Sequence, residues 1–184
     1  MYLYCLISNK KITGNSEKIK LVDIDKVGAQ FDSLWERKTS SETDKIFSYR
    51  TANYIKWHFS KQSESQYKIL CSYEKNILVG YLIIKEENSQ NLKMRRLRIV
   101  DVFVENDQND VISNLLFSAF EFAKENNYAL LEMIGFPEYI RDQFNTNKAF
   151  SRILPTWPFL YRALTKNLKE TLKNKATWYA LSLI

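Results

Sequence analysis

Glycine and proline are scarce in this chain, and so are cysteine and histidine. The 184 residues include four glycines, three prolines, two cysteines and one histidine. So few glycines and prolines exclude a collagenous or low-complexity chain. The two cysteines, Cys5 and Cys71, are too few and too far apart to indicate a metal site, so we expect no bound metal. Free thiols are typical of a reducing compartment, and we expect a cytoplasmic protein.

Long hydrophobic runs are also missing. No apolar run reaches the roughly 18 residues that a membrane-spanning helix needs. Residues 1–11 contain an apolar stretch, but their lysines follow it, which is the wrong order for a secretory signal. The chain does have material for a core, because 45% of its residues are hydrophobic and 14% are aromatic. That composition argues against disorder and favours a single folded domain.

The net charge of +6 is unevenly placed along the chain. Seven Lys or Arg residues and one acidic residue follow Asn147, so residues 148–184 carry the whole net charge. A basic stretch can meet an anionic partner, although a solvated surface is the simpler interpretation. The aromatic residues between these basic residues form no recognised nucleic-acid signature, so we expect no nucleic acid among the partners.

The middle of the chain is typical of a strand, a loop and a helix in succession. Residues 99–104 form an almost continuous β-branched and aromatic run, which suits a central strand covered on both faces. A short polar loop follows at residues 105–109. Apolar residues then recur at helical spacing over residues 112–123, which predicts a helix. Either Asn109 or Asp110 can cap its first turn.

Periodicity predicts the remaining elements with their approximate bounds. The other predicted strands are 18–24, 67–73, 77–86, 128–134, 148–154 and 158–164, and the other predicted helices are 27–37, 44–59, 138–145 and 166–176. Residues 1–7 fit either a short strand or an apolar helical turn. Gly80 inside a strand indicates a bulge or a close backbone approach. The apolar residues Trp178–Ile184 are expected to add to a sheet or to pack against a neighbouring subunit.

The order of these elements resembles the GCN5-related N-acetyltransferase (GNAT) fold. The segments that carry the resemblance are FDSLWER (31–37), RTANYIKWHF (50–59), VGYLIIK (79–85), RIVDVFV (98–104) and PEYIRDQFNTNKAF (137–150). They are similar to segments in the acetyltransferase-like halves of polysaccharide and cell-surface biosynthesis proteins. The resemblance implies an α+β domain at residues 18–165, with a mixed, mostly antiparallel sheet flanked by helices on both faces. Residues 1–17 would then be an N-terminal extension, and 166–184 a basic helix with an apolar end.

The resemblance also implies an activity, which is the transfer of an acyl group from acyl-coenzyme A to an amine, such as an amino sugar. Strand backbone would hold the pantetheine arm like an added strand, and the helix start would meet its phosphates. The implied donor-binding residues are Val102, Phe103, Val104, Asn109, Asp110 and Val111. Arg50, Tyr54 and Trp57 share one side of a predicted helix and would line the acceptor site, although the same spacing also suits a helix that packs on a sheet.

Asp101 and Tyr161 are the candidate catalytic residues. Alternation places Asp101 on one face with Ile99 and Phe103, where a carboxylate could take the amine's proton. The alternative is a structural aspartate that bonds loop N–H groups or an arginine. Tyr161, like Tyr139, is a candidate hydroxyl donor.

Two departures from the family pattern leave a second class of function open. The loop ENDQND (105–110) lacks the glycines that let the family's backbone close on pyrophosphate, and it carries three acidic groups. It therefore predicts weak or absent acetyl-coenzyme A binding. Ala149-Phe150 stands where the family has Gly-Phe, and Asn145 stands where many members have a tyrosine. The alternative function is a non-catalytic domain that binds a protein partner, a second copy or a second GNAT-like half.

Overall fold

The computed structural model describes residues 2–6, 15, 17–60, 67–89, 94–146, 149–153, 162–174 and 178–179. The strands are β1 (Tyr2–Leu6), β2 (Ile19–Asp23), β3 (Ile46–Phe47), β4 (Tyr67–Glu74), β5 (Ile77–Ser89), β6 (Met94–Val104), β7 (Leu130–Ile134), β8 (Phe150–Arg152) and β9 (Trp178–Tyr179). The helices are α1 (Ala29–Ser41), α2 (Ala52–Ser60), α3 (Asn109–Glu125), α4 (Glu138–Asn145) and α5 (Lys166–Lys173). None of the described helices is long and apolar enough to span a membrane.

One seven-stranded sheet forms the centre of the molecule, in the order β2-β4-β5-β6-β7-β1-β8. Adjacent strands in this sheet run antiparallel, except β6 and β7, which run parallel. Helix α1 covers one face, where the Trp35 and Phe103 ring centroids are 5.8 Å apart. Helix α3 covers the other face, where Val104 and Val111 both lie against Gly80. The expected mixed, mostly antiparallel sheet with helices on both faces is therefore confirmed.

Strand β6 is the central strand that the apolar run predicted. Leu97, Ile99, Val102, Phe103 and Val104 are all buried, with at most 1% of each exposed. Such a strand needs cover on both faces, because its side chains alternate between them. Helices α1 and α3 provide that cover.

Strand β1 lies inside the sheet, although we assigned its residues to an extension ahead of the domain. It pairs with β7 on one side and β8 on the other. Cys5 opposite Leu131 is fully buried, which explains why an apolar stretch at this point becomes a strand. Of the predicted last strand at 158–164, residues 158–161 lie outside the described residues, and Arg162–Leu164 are not a strand.

The predicted helix at 44–59 is wrong over its first half. Helix α2 begins only at Ala52, whose N–H donates to Asp32 Oδ1 at 2.8 Å. A carboxylate at the first turn stabilises a helix start, and here it comes from α1 rather than from a neighbour in sequence. The preceding residues Ile46 and Phe47 instead form β3, which pairs in parallel with β9 in a separate two-stranded ribbon. We call this pair of strands the β3–β9 ribbon.

Gly80 shows both features that its position predicted. The β4–β5 register shifts between Ser72 and Tyr73, opposite Gly80 and Leu78. A Cβ at Gly80 would lie 2.9 Å from Val104 Cγ2 and 3.1 Å from Val111 Cγ1. Glycine is therefore needed here so that α3 can pack closely on the sheet.

Candidate functional site

Strands β6 and β7 run side by side for only part of the length of β6. Their pairing covers Arg96–Ile99 of β6 and ends at Ile99 opposite Met133. Of the next five residues, Asp101–Val104 pair with β5 alone among the described strands, and Val100 has no register partner in β5. We call Val100–Val104 the open stretch of β6. Backbone N–H and C=O groups on its unpaired side can receive an extended ligand as an added strand.

A bulge and a buried charge cluster explain where the two strands separate. The β5–β6 register shifts so that Val100 is an extra residue, and such bulges bend a strand. Just before it, the fully buried carboxylate of Glu132 on β7 accepts from Arg98 Nε at 2.7 Å and Arg96 Nη1 at 3.3 Å on β6. Charged hydrogen bonds of this kind are strong when buried, so they tie the paired half together.

Asp101 lies at the start of the open stretch and is paired with Arg50. Its Oδ1 and Oδ2 lie 3.2 and 3.1 Å from Arg50 Nε, and Oδ2 accepts from the Tyr81 hydroxyl at 3.0 Å. All three side chains are buried. Burial opposes the charge of Arg50, but Asp101, Tyr81 and Tyr179 together outweigh it and raise the pKa of the guanidinium above its ordinary value. Of the two roles we weighed for Asp101, the arginine-bonded geometry is the one present.

Aromatic rings surround Phe103, the next side chain on the same face of β6. The ring centroids of Trp35, Phe47, Tyr81 and Tyr179 lie 5.8–6.1 Å from that of Phe103. The Arg50 guanidinium lies 5.3 Å from the Phe103 centroid, a distance at which a cation is attracted to a ring face. This aromatic cluster joins the open stretch to the β3–β9 ribbon.

Tyr179 of β9 makes the most direct contact with the open stretch. Its hydroxyl donates to the backbone carbonyl oxygen of Val102, and only 2% of the residue is exposed. Its hydroxyl also interacts with that of Tyr139 on α4, the helix that follows β7. Burial raises the pKa of both phenols, so both stay protonated at neutral pH. Tyr179 therefore contacts both β6 and α4, in the region where β6 and β7 no longer pair.

The loop after β6 is held by basic side chains from α1 and the segment after it. Arg37 Nε donates to Glu105 Oε1 at 2.9 Å. Asp107 accepts from Lys38 at 2.6 Å and Lys45 at 2.8 Å, and from the Tyr139 hydroxyl at 2.9 Å. Burial opposes the charged form of Asp107, but Lys38, Lys45 and the Tyr139 hydroxyl together outweigh it and hold its pKa below the ordinary value. The charges of Glu105 and Asp107 are thus neutralised by these partners.

The same loop takes up left-handed backbone without glycine. Asn106 has φ 54° and Asp107 has φ 47°. Asn and Asp are the residues that tolerate this region best after glycine. The loop thus makes its turn with asparagine and aspartate, and the sequence alone did not predict this.

Four residues separate the end of β6 from the start of α3, which therefore begins close to the open stretch in the chain. Its N-cap is Gln108, with no side-chain cap hydrogen bond, so the predicted caps Asn109 and Asp110 are wrong. Those two residues are exposed in the first turn, and Val111 is buried against Gly80. A helix start that lacks a side-chain cap leaves N–H groups available to an anion.

A small cleft opens beside Asp101 and is the candidate acceptor site. Its lining residues are Ser48, Tyr49, Arg50, Tyr54, Ile55, Phe59 and Asp101. Of the residues we predicted for an acceptor, Arg50 lies on the floor just before α2, and Tyr54 lines the cleft. Trp57 is 55% exposed outside it, with its ring 5.9 Å from that of Tyr54. The structure adds Tyr49, 69% exposed, which lies in a segment that we predicted as helix.

Two further residues from the sequence analysis, and the single histidine, remain to be placed. Tyr161 lies outside the described residues. The histidine, His58, is half-buried in α2 and stacks on Tyr54 with centroids 5.8 Å apart. Asn145 is the last residue of α4.

Of Trp178–Ile184, which we expected to add to a sheet or to pack against a neighbouring subunit, Trp178 and Tyr179 pair with β3, and residues 180–184 lie outside the described residues. The contact of Tyr179 with Val102, 77 residues away, was not predicted.

Solved structures, but no family model or curated protein, place the fold among known proteins. No family model and no curated protein matches this sequence. Solved structures do match, among them an aminoglycoside acetyltransferase from an uncultured soil metagenomic sample, in complex with trehalose, at TM-score 0.58 and 14% identity over 78% of this chain and 96% of that one. A ribosomal-protein-alanine N-acetyltransferase from Brucella melitensis biovar Abortus has TM-score 0.56 and 14% identity over 78% and 99% of the two chains. A predicted acetyltransferase with acetyl-CoA from Clostridium acetobutylicum has TM-score 0.55 and 14% identity over 78% and 94%.

These likenesses establish the fold. The chain has the fold of the GCN5-related N-acetyltransferases, as the order of its elements predicted. At 14% identity the comparison extends to the fold alone, so the chemistry has to be argued from the residues of this chain. Among the described residues, no group of three His, Cys, Asp or Glu side chains is placed to hold a metal ion.

Proposed function

We propose that this chain is an acyltransferase that moves an acyl group from acyl-coenzyme A to an amine on a small polar acceptor. The observation that carries the proposal is the open stretch Val100–Val104, which leads within four residues into the start of α3. An extended pantetheine arm carries amide groups that suit strand backbone, and the phosphates of the same molecule suit a helix start. Val102, Phe103 and Val104 would hold the arm, and Asn109, Asp110 and Val111 would face the phosphates.

The acidic loop does not oppose this assignment as strongly as its sequence suggests. Glu105 is paired with Arg37, and Asp107 with Lys38 and Lys45. A carboxylate that already has a cationic partner repels a nearby phosphate less than a free one does. Asp110 remains an exposed negative charge at the helix start, so we expect modest rather than tight phosphate binding.

The side chains beside the open stretch would orient the reaction. When bound, acyl-coenzyme A supplies a thioester carbonyl that an amine can attack. Asp101 has its oxygens bonded to Arg50 and Tyr81, so we assign it a positioning role that fixes these side chains at the floor of the cleft. The buried aromatic cluster around Phe103 excludes water from that floor, which limits hydrolysis of the thioester.

The cleft favours an amino sugar as the acceptor. Tyr49 and Tyr54 present aromatic surface beside the polar floor, and Trp57 adds exposed surface next to Tyr54. Aromatic faces bind the apolar C–H faces of sugars and attract ammonium groups. Aminoglycosides, which are amino sugars, are named for one of the matched structures. The free thiols support a reaction in the cytoplasm, and the resemblance to polysaccharide biosynthesis proteins supports a role in the synthesis of a cell-surface polysaccharide precursor.

An acyl-transfer assay tests the proposal. Acetyl-coenzyme A is incubated with the protein and one amine at a time: glucosamine, galactosamine, spermidine or a lysine-containing peptide. Thiol release and the mass of the product are followed together. We expect acetylated amino sugar, reduced at least tenfold in Tyr54→Ala and unchanged in Tyr73→Phe, whose hydroxyl bonds Gln30 of α1 and which does not line the cleft. Absence of thiol release with every amine would contradict the proposal.

A second candidate function is a non-catalytic domain that binds a protein partner. It is favoured by the contact of Tyr179 with Val102, which occupies a backbone group that a donor would need. The partner would be a second copy or a second GNAT-like half. If this function is correct, no acyl-coenzyme A binds even when the Tyr179 side chain is removed.

A further inference from the structure

Tyr179 occupies the part of β6 that the proposed donor would use. The Tyr179 hydroxyl bonds the carbonyl oxygen of Val102, in the middle of the open stretch. The Tyr179 ring lies against Phe103 and Phe47, at centroid distances of 6.0 and 5.5 Å. An extended ligand along the same edge of β6 would need the space and the carbonyl that Tyr179 now takes.

Among the described residues, the strand that carries Tyr179 is short. Strand β9 pairs through two residues, Trp178 opposite Ile46 and Tyr179 opposite Phe47. Trp178 Nε1 also donates to the Leu172 carbonyl of α5 at 2.9 Å. Two-residue pairings are marginal on their own, so the ribbon depends on the contacts of the Tyr179 ring.

Two buried cations strengthen those contacts. The Arg50 guanidinium lies 4.9 Å and the Lys38 ammonium 5.6 Å from the Tyr179 centroid. Lys38 is also bonded to Asp107 in the loop that leads to α3, and Arg50 to Asp101 in β6. Tyr179 thus joins the strand, the loop and the acceptor floor in one closed arrangement.

From this geometry we propose that Tyr179 is an internal plug of the donor site, and that acyl-coenzyme A binds only after the β3–β9 ribbon opens. This inference rests on the proposed function and adds a regulatory step to the same site. A protein whose competent state is a minor one binds its ligand more weakly, by the fraction of molecules that are competent. The weak acetyl-coenzyme A binding that the loop sequence predicts thus gains a second cause, which a single substitution can remove.

Calorimetric titration with acetyl-coenzyme A tests the plug. We expect Tyr179→Ala to bind at least tenfold more tightly than the unaltered chain. Tyr179→Phe keeps the ring and loses one hydrogen bond, so it should bind about fivefold more tightly. The matched control is Tyr128→Phe. It loses a 3.0 Å hydrogen bond from the Tyr128 hydroxyl to Glu86, which is not part of the proposed site, so the affinity for acetyl-coenzyme A should be unchanged. Melting curves show whether each variant is folded, and Tyr179→Phe carries the test if Tyr179→Ala does not fold.

A second readout follows the ribbon itself. The four tryptophans are labelled with 5-fluorotryptophan, and the Trp178 resonance is assigned with Trp178→Phe. Saturating acetyl-coenzyme A should move the Trp178 resonance. Equal affinity in the unaltered chain and both Tyr179 variants, or an unmoved Trp178 resonance at saturation, would overturn the plug while the proposed function stands. No binding in any variant would overturn both.

Discussion

Arg50 and Asp101 form a buried ion pair across 51 residues of sequence, with Arg50 Nε 3.1 Å from Asp101 Oδ2. Each side chain is at most 4% exposed. The pair links the segment before α2 to the central strand, and it sets the floor of the cleft. Breaking such a pair from one side leaves the other charge buried without a partner.

Asp101→Asn should therefore destabilise the protein by about 3–5 kcal/mol, the cost that is typical of one lost partner in a buried pair. Urea denaturation measures it. The exposed Asp142→Asn is the matched control and should change the free energy of unfolding by less than about 0.5 kcal/mol. A double change, Arg50→Met with Asp101→Leu, should recover most of the loss. If Asp101→Asn unfolds at the same urea concentration as the unaltered chain, the pair has no structural role.

Much of the fold could be predicted because its signals are local. The run at 99–104 and the helical spacing after it gave β6 and α3, and the hairpin followed from two strands around a turn. Helix α4 has the predicted bounds. These elements depend on the alternation of side chains over short distances, which the sequence displays directly.

The elements that the sequence missed depend on distant partners. Helix α2 begins where Asp32 of α1 caps it, and no pattern near Ala52 indicates this. Strand β3 exists because β9 pairs with it, more than 130 residues later. The contact between Tyr179 and Val102 also joins residues far apart in the sequence. The part of the candidate site on β6 could therefore be predicted, but the position of Tyr179 against it could not.

Gly80 offers a test of how closely α3 packs on the sheet. Gly80→Ala would bring a methyl group within 2.9 Å of Val104 Cγ2, so we expect a loss of about 1–3 kcal/mol from overpacking. Gly28→Ala is the control, because its nearest heavy atom would be 4.0 Å away, and it should cost under about 1 kcal/mol. Equal melting temperatures for the two variants would contradict this packing.

Protonation of Asp107 should lower the stability of the folded protein as the pH falls. Its pKa in the folded state lies below the ordinary 3.8, because Lys38, Lys45 and the Tyr139 hydroxyl together outweigh burial. The stabilisation is present above the unfolded pKa and is lost as the pH falls through the folded value. Between about pH 5 and pH 2, the free energy of unfolding should therefore fall less steeply with pH for Asp107→Asn than for the unaltered chain. The control Asp142→Asn should keep the pH dependence of the unaltered chain. If Asp107→Asn and Asp142→Asn showed the same pH dependence, Asp107 would not be the source of the acid sensitivity.

The two thiols should be inert in the folded protein. Cys5 and Cys71 are fully buried, and burial raises the pKa of the Cys71 thiol to about 12. The thiolate is the reactive form, so a thiol reagent at about pH 8 should modify neither residue until denaturant is added. Rapid modification of the native chain would show that the sheet around Cys5 and Cys71 opens readily.

The central claim is that Val100–Val104 and the first turn of α3 form the donor site. Its most direct test is a titration of ¹⁵N-labelled Tyr179→Ala protein with acetyl-coenzyme A, followed by amide chemical shifts. We predict that the largest changes fall on Val100–Val104 and on Asn109, Asp110 and Val111, with little change across β2 and β4 at the far edge of the sheet. Changes confined to other surfaces, or none at millimolar ligand, would contradict the account.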